Sequence, residues 1–80
     1  MALHDIVSPL PGTFYRRPTP DADYYVEVDS MVQSSGVVGL VEVMKQFTEI
    51  EAGISGRVTE ILVGDSEPVD AGQVLMRIEE

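Results

Sequence analysis

The chain has 80 residues, 14 acidic against five basic side chains, a net charge of −9 and no cysteine. This length holds one domain at most. The lack of cysteine excludes disulfides and thiolate metal sites, and the acidic balance argues against nucleic acid and anionic membranes as partners. No signal peptide is predicted, and no apolar stretch approaches the roughly 20 residues that cross a bilayer. We therefore expect residues 1–80 to form a single cytoplasmic domain.

Short apolar runs alternate along the chain with Gly, Pro, Ser and Asp, and helical periodicity is nearly absent. This spacing is typical of a many-stranded β domain, so the predicted fold class is all-β. In chain order, strands are predicted near Asp5–Val7, Gly12–Tyr15, Val26–Val28, Val37–Val43, Phe47–Ala52, Gly56–Ile61, Pro68–Val69 and Val74–Glu79.

The segment of about residues 16–23, after the second predicted strand, is expected to protrude as a loop. Pro18 and Pro20 remove two backbone donors and hold the chain extended, while Asp21 and Asp23 favour contact with water. On local sequence alone, an ordinary surface insertion is an equally good interpretation.

A weak internal repeat divides the chain into two halves of about forty residues. A displacement of 37 positions aligns apolar residues of the two halves, and a displacement of 44 aligns two glycines further upstream. The difference of seven residues is accounted for by the predicted insertion in the first half. We therefore predict two small antiparallel sheets packed face to face and related by pseudo-symmetry. The aligned pairs are Val32 with Val69, Val37 with Val74, Val38 with Leu75, Val41 with Ile78, Glu42 with Glu79, and Gly12 with Gly56.

Lys45 is the only lysine of the chain and lies between the two halves. One predicted strand leads into it and another leads out, which predicts a tight hairpin with Met44 and Lys45 at its tip. A two-residue hairpin turn favours Asn-Gly or Asp-Gly, because both central residues need φ > 0. Met44 and Lys45 do not meet this preference, and places where local rules fail are candidates for function.

The hairpin position favours a lysine that is modified over a lysine that catalyses. A protonated amine is a poor nucleophile, and catalytic lysines are normally desolvated, whereas a hairpin tip is exposed. At this position the Lys45 amine is instead carried on a long stem at the outermost point of a stiff scaffold, within reach of a modifying enzyme. The alternative is an exposed lysine that serves only solubility.

Glu42-Val43-Met44-Lys45 resembles the Glu-Ala-Met-Lys motif of biotinyl domains, in which the lysine carries biotin. Ser8–Arg16 resembles the opening of the biotin carboxyl carrier proteins of bacterial acetyl-CoA carboxylase, and the predicted insertion falls where those proteins have a thumb. Val43 and Gln46 stand in place of the usual alanine and methionine. The chain is thus similar to the biotin/lipoyl attachment family over nearly its whole length.

The resemblance implies a flattened β-barrel, or hammerhead, of two four-stranded antiparallel sheets. It implies that a biotin protein ligase attaches biotin to Lys45, with Met44 and Glu42 as recognition positions. A biotin carboxylase would load a carboxyl group onto the biotin and a carboxyltransferase would pass it on, so the chain would be a non-catalytic carrier. The residues implied as secondary contacts are Pro18, Thr19, Pro20, Asp21, Ala22 and Asp23 of the thumb.

Two alternatives to a biotin carrier share the implied fold. A lipoyl domain also has a hairpin lysine, although such domains usually carry Asp-Lys-Ala at the tip and no thumb. An unmodified hammerhead that serves as an interaction module is the other.

An enzyme and a metal site are both disfavoured. His4, the one histidine, has no candidate triad partners. Asp65, Glu67 and Asp70 superficially suggest a calcium loop, yet Val69 and Asp70 stand where an EF-hand needs a ligand and a glycine.

Overall fold

The computed structural model of the chain describes residues 2–80, and its regular structure in that range consists of β-strands. The strands are β1 (Leu3–Val7), β2 (Gly12–Tyr15), β3 (Met31–Val32), β4 (Val37–Val43), β5 (Gln46–Glu51), β6 (Gly56–Ile61), β7 (Glu67–Val69) and β8 (Val74–Glu79). They form two four-stranded antiparallel sheets, ordered β1-β8-β6-β3 and β5-β4-β2-β7. The predicted all-β class with two four-stranded sheets is confirmed. Within residues 2–80, no helix is long and apolar enough to cross a membrane.

Seven of the predicted strands occur near their predicted positions, but the strand predicted over Val26–Val28 is wrong. Val26 is buried in the core, where it anchors the segment, and the Ser30 side chain then accepts a hydrogen bond from the Glu27 backbone N–H to form a turn. The strand lies a few residues later, where Met31–Val32 pairs with β6. Of the two alternating valines only Val26 is buried, and Val28 is exposed, so this segment is a loop held to the core at one residue.

The two sheets are related by the pseudo-symmetry that the repeat predicts. Replacing each strand by the one four places away in the chain converts the order of one sheet into the order of the other. Gly12 and Gly56 make equivalent contacts, because a Cβ added to either would overlap the backbone oxygen of Glu42 or of Glu79 respectively. Only glycine allows this close approach of strands.

The sheets enclose a single apolar core, because alternate residues of a strand point to the same face. Phe14 of β2, Val41 of β4, Val58 of β6 and Leu75 of β8 are fully buried in it. A bulge in β6 shifts the alternation, so that Ile61 packs on the same core although it lies three residues after Val58. This packing fixes the strands that carry the β4–β5 hairpin.

The hairpin between β4 and β5 and the two ends of the chain occupy equivalent places in the two sheets. The backbone N–H of Glu80 donates to the carbonyl of Ala2 at 2.9 Å, next to the pairing of Leu3 with Glu79. The pseudo-symmetry relates this junction of β8 and β1 to the junction of β4 and β5. Strands β4 and β5 are therefore joined by the turn that carries Lys45, whereas the equivalent strands β8 and β1 are paired without a connecting turn.

We expect Gly12→Ala and Gly56→Ala each to lower the free energy of unfolding by about 1–3 kcal/mol, because the added methyl group displaces backbone. Gly64→Ala is the matched control, since the atoms nearest to its Cβ belong to the Glu67 side chain, which can move. Its expected effect is below about 0.5 kcal/mol. Urea unfolding measures all three, and equal effects at the three positions would contradict the close approach of the strands.

Candidate functional site

Met44 and Lys45 form a two-residue turn at the tip of the β4–β5 hairpin. Val43 pairs with Gln46 across the base of the turn, and the φ angles of Met44 and Lys45 are 50° and 65°. Both central residues thus lie in the left-handed region, as in a type I′ turn, whose twist matches that of the flanking strands. The tight hairpin predicted from the spacing of the strands is confirmed.

The turn is held in place by the ladder of β4 and β5. A left-handed conformation costs roughly 1–2 kcal/mol for a residue with a side chain, and neither Met44 nor Lys45 is among the types that adopt it readily. The six residue pairs between the two strands, from Val37 with Glu51 to Val43 with Gln46, keep the tip in this conformation. Both side chains point into solvent, and Met44 is 90% exposed.

Lys45 is the basic residue whose charged amine has no partner among the described residues. Within residues 2–80, its amine makes no ion pair and no hydrogen bond, although the chain is strongly acidic. The four arginines, in contrast, are all engaged. Arg17 binds Asp65, Arg57 binds Asp29 and Glu79, Arg77 binds Asp5 and Glu60, and the Arg16 side chain donates to the carbonyl of Val26.

Glu42 lies on the outer face of the hairpin, in contact with two aromatic residues. The Tyr15 hydroxyl donates a hydrogen bond of 2.9 Å to Glu42 Oε1, and Phe47 pairs with Glu42 across the β4–β5 ladder. The Tyr15 and Phe47 ring centroids are 6.3 Å apart, with an angle of 46° between the planes. The bond to Glu42, followed by burial and the nearby carboxylates, raises the pKa of Tyr15 above its ordinary value.

Residues 16–30 form the long loop between β2 and β3, which contains the insertion predicted over residues 16–23. Asp65 anchors its first residues, because its carboxylate accepts bonds from the Arg16 backbone N–H at 2.8 Å and from Arg17 Nε at 3.3 Å. The Tyr25 backbone N–H donates to the Arg16 carbonyl at 2.8 Å, which closes the stem of the loop. Tyr24 lies under the Arg16 guanidinium at 4.0 Å.

A groove of about 300 Å³ lies between this loop and the base of the hairpin. Its walls are Tyr15 and Phe47 on one side and the loop residues on the other, and its lining comprises Tyr15, Arg17, Pro18, Thr19, Pro20, Phe47, Asp65 and Ser66. The structure thus brings three of the predicted thumb residues to one groove with Phe47. Asp21, Ala22 and Asp23 do not line it, and neither do Glu42, Met44 and Lys45.

Sequence reasoning missed Tyr15, Phe47 and Asp65 as parts of this region. In the sequence, Tyr15 and Phe47 have the pattern of ordinary strand residues, and Asp65 stands among other acidic residues with no sign of its partners. In the structure, Asp65 and Glu67 accept hydrogen bonds from backbone N–H groups. Among the described residues, no group of three or more His, Cys, Asp or Glu is arranged to hold a metal ion.

We expect the double variant Met44→Asn/Lys45→Gly to raise the free energy of unfolding by about 1–2 kcal/mol, because the new residues adopt φ > 0 with little strain. The matched control is Met44→Ala/Lys45→Ala, which removes the same side chains without favouring that conformation. Thermal denaturation compares the two. An Asn-Gly variant no more stable than the Ala-Ala variant would show that the wild-type turn is unstrained.

The comparisons with known proteins agree with this geometry. Residues 4–78 match a biotin/lipoyl family model described as a biotin-requiring enzyme. The chain is 47% identical over 76 residues to the biotin carboxyl carrier protein of acetyl-CoA carboxylase from Nostoc sp., and 48% identical over 73 residues to that from Chlamydia trachomatis. These alignments cover 95% and 91% of this chain but 42% and 44% of the relatives. The chain therefore spans less than half the length of these curated relatives.

A solved structure supports the fold. The urea carboxylase of Kluyveromyces lactis superimposes on 99% of this chain with a TM-score of 0.80, using 6% of its own chain at 24% identity. The match of the family model over residues 4–78 shows that the chain belongs to the biotin/lipoyl family of biotin-requiring enzymes.

Proposed function

We propose that the chain is a biotin carboxyl carrier domain in which Lys45 is the residue that receives biotin. The single observation that carries this proposal is the state of Lys45: the only lysine of the chain, exposed on a left-handed turn, with an amine that no described residue contacts. The relatives of this chain that are named biotin carboxyl carrier proteins support the same role. We propose that residues 1–80 form one such domain.

The residues around Lys45 fit a group attached through an amide. Biotin bound there supplies a ring nitrogen that carries a carboxyl group. The chain contributes a long, solvent-exposed stem on a turn whose backbone is fixed by the β4–β5 ladder. Met44, almost fully exposed, offers a flexible apolar contact for a modifying enzyme, and Glu42 offers a carboxylate.

The partners in this proposal are a biotin protein ligase, a biotin carboxylase and a carboxyltransferase of an acetyl-CoA carboxylase-like complex. The chain's own role is passive: it holds Lys45 outward so that the attached group reaches active sites of other proteins. An acidic surface, with a net charge of −9, favours encounter with basic docking surfaces on those partners. The acyl acceptor is then chosen by the carboxyltransferase.

We further propose that the groove beside the hairpin receives the biotin ring as a secondary contact. Its volume of about 300 Å³ lies at the lower end of small-molecule pockets. Pro18, Pro20 and Phe47 supply apolar walls, and Phe47 is two residues from Lys45. The Arg17–Asp65 pair supplies both a donor and an acceptor at one side, which suits a cyclic urea.

The first test is the intact mass of the protein after co-expression with a biotin protein ligase. We expect wild type to gain one biotin-sized increment and Lys45→Arg to gain none, while the variant keeps the wild-type unfolding midpoint because the exposed charge is conserved.

Three results would contradict the assignment. A lipoyl-sized increment would make the chain a lipoyl carrier. No increment on wild type would leave an unmodified interaction module. An increment that persists in Lys45→Arg would mean that Lys45 is not the attachment residue.

The groove is tested on the biotinylated domain with ¹⁵N-labelled biotin. We expect the ring nitrogens to have order parameters near the rigid-backbone value of roughly 0.85 in wild type and below about 0.6 in Asp65→Ala, which releases the loop. Asp70→Ala is the matched control, because Asp70 is an exposed acid whose side chain makes no hydrogen bond within residues 2–80. Equal ring mobility in all three proteins would contradict the contact.

A further inference from the structure

We propose that Tyr15 is a positioning residue for the modification of Lys45 and that it acts through Glu42. This inference rests on the proposed function, since it concerns the encounter of the hairpin with the ligase. Tyr15 lies on β2, 30 residues before Lys45 in the chain, and the pairing of β2 with β4 brings it beside the strand that enters the turn.

The Tyr15 hydroxyl fixes the orientation of the Glu42 carboxylate. Oε1 accepts the 2.9 Å hydrogen bond from Tyr15, whereas Oε2 has no hydrogen-bond partner within residues 2–80 and is left for another molecule. A glutamate side chain otherwise samples many rotamers, and ordering it on binding costs free energy. Tyr15 orders it in advance, three residues from the acceptor lysine.

Tyr15 itself is well placed to be rigid. Strand β2 lies inside its sheet, between β4 and β7, and the Tyr15 side chain is half-buried against Phe47. A tyrosine hydroxyl is protonated at neutral pH and therefore donates to the Glu42 carboxylate, and this bond is the main cause of the raised pKa of Tyr15. Phe47 pairs with Glu42 from the other strand of the hairpin. Glu42 is thus bounded by an aromatic residue on each neighbouring strand.

The test measures initial rates of biotin transfer by a purified ligase as a function of the concentration of unmodified domain. We expect Tyr15→Phe to raise the KM for the domain roughly fivefold with little change in kcat, because an ordering contact in the encounter is lost. Tyr24→Phe is the matched control, since its hydroxyl makes no hydrogen bond within the described residues. Both variants are checked for an unchanged unfolding midpoint.

A double-mutant cycle separates positioning from mere packing. If Tyr15 acts through Glu42, Tyr15→Phe has no further effect on KM in a Glu42→Ala background. Multiplicative effects of the two substitutions on KM, or an unchanged KM in Tyr15→Phe, would overturn the inference. If wild type still receives biotin in that case, the proposed function stands. Wild type that receives no biotin would overturn both.

Discussion

The structure depends on one backbone constraint, the left-handed conformation of Met44 and Lys45 between β4 and β5. A two-residue turn of this kind matches the twist of the strands, so the ladder can continue up to Val43 and Gln46. The same geometry turns both central side chains away from the sheet. Two residues therefore adopt a strained backbone conformation. As a consequence, the amine of Lys45 lies away from the acidic side chains of the strands. The conformation that exposes the Lys45 amine thus lowers the stability of the folded domain.

The two halves of the chain are related by pseudo-symmetry but differ at the lysine hairpin and in one loop. The core residues of the two halves interlock, and Gly12 and Gly56 let the strands beside Glu42 and Glu79 approach closely in both sheets. The place equivalent to the lysine hairpin is occupied by the pairing of β1 with β8. A covalent turn exists only on one side, and the loop of residues 16–30 also occurs only in the first half. The departures from symmetry thus lie at the Lys45 hairpin and in the loop beside it.

The hairpin turn and most of the strands could be predicted from the sequence, because they depend on residues that are close together in the chain. The spacing of the strands requires a tight turn at Met44 and Lys45, and apolar alternation locates most of the strands. The contacts of Tyr15 with Glu42 and of Arg16 with Asp65 could not be predicted, since they join residues that are 27 and 49 positions apart and depend on how the whole chain folds. The strand predicted over Val26–Val28 does not form, because Val26 alone holds this loop to the core while Val28 is exposed, and a pattern of alternating valines cannot distinguish the two cases.

The role of the hairpin depends on the display of Lys45 on a preorganised turn and not on a flexible tip. NMR of the unmodified domain in solution tests it most directly, through backbone couplings that report φ and through relaxation at residues 44 and 45. We expect positive φ at both residues and order parameters near the rigid-backbone value of roughly 0.85. Averaging between left- and right-handed conformations, with order parameters below about 0.6, would contradict it.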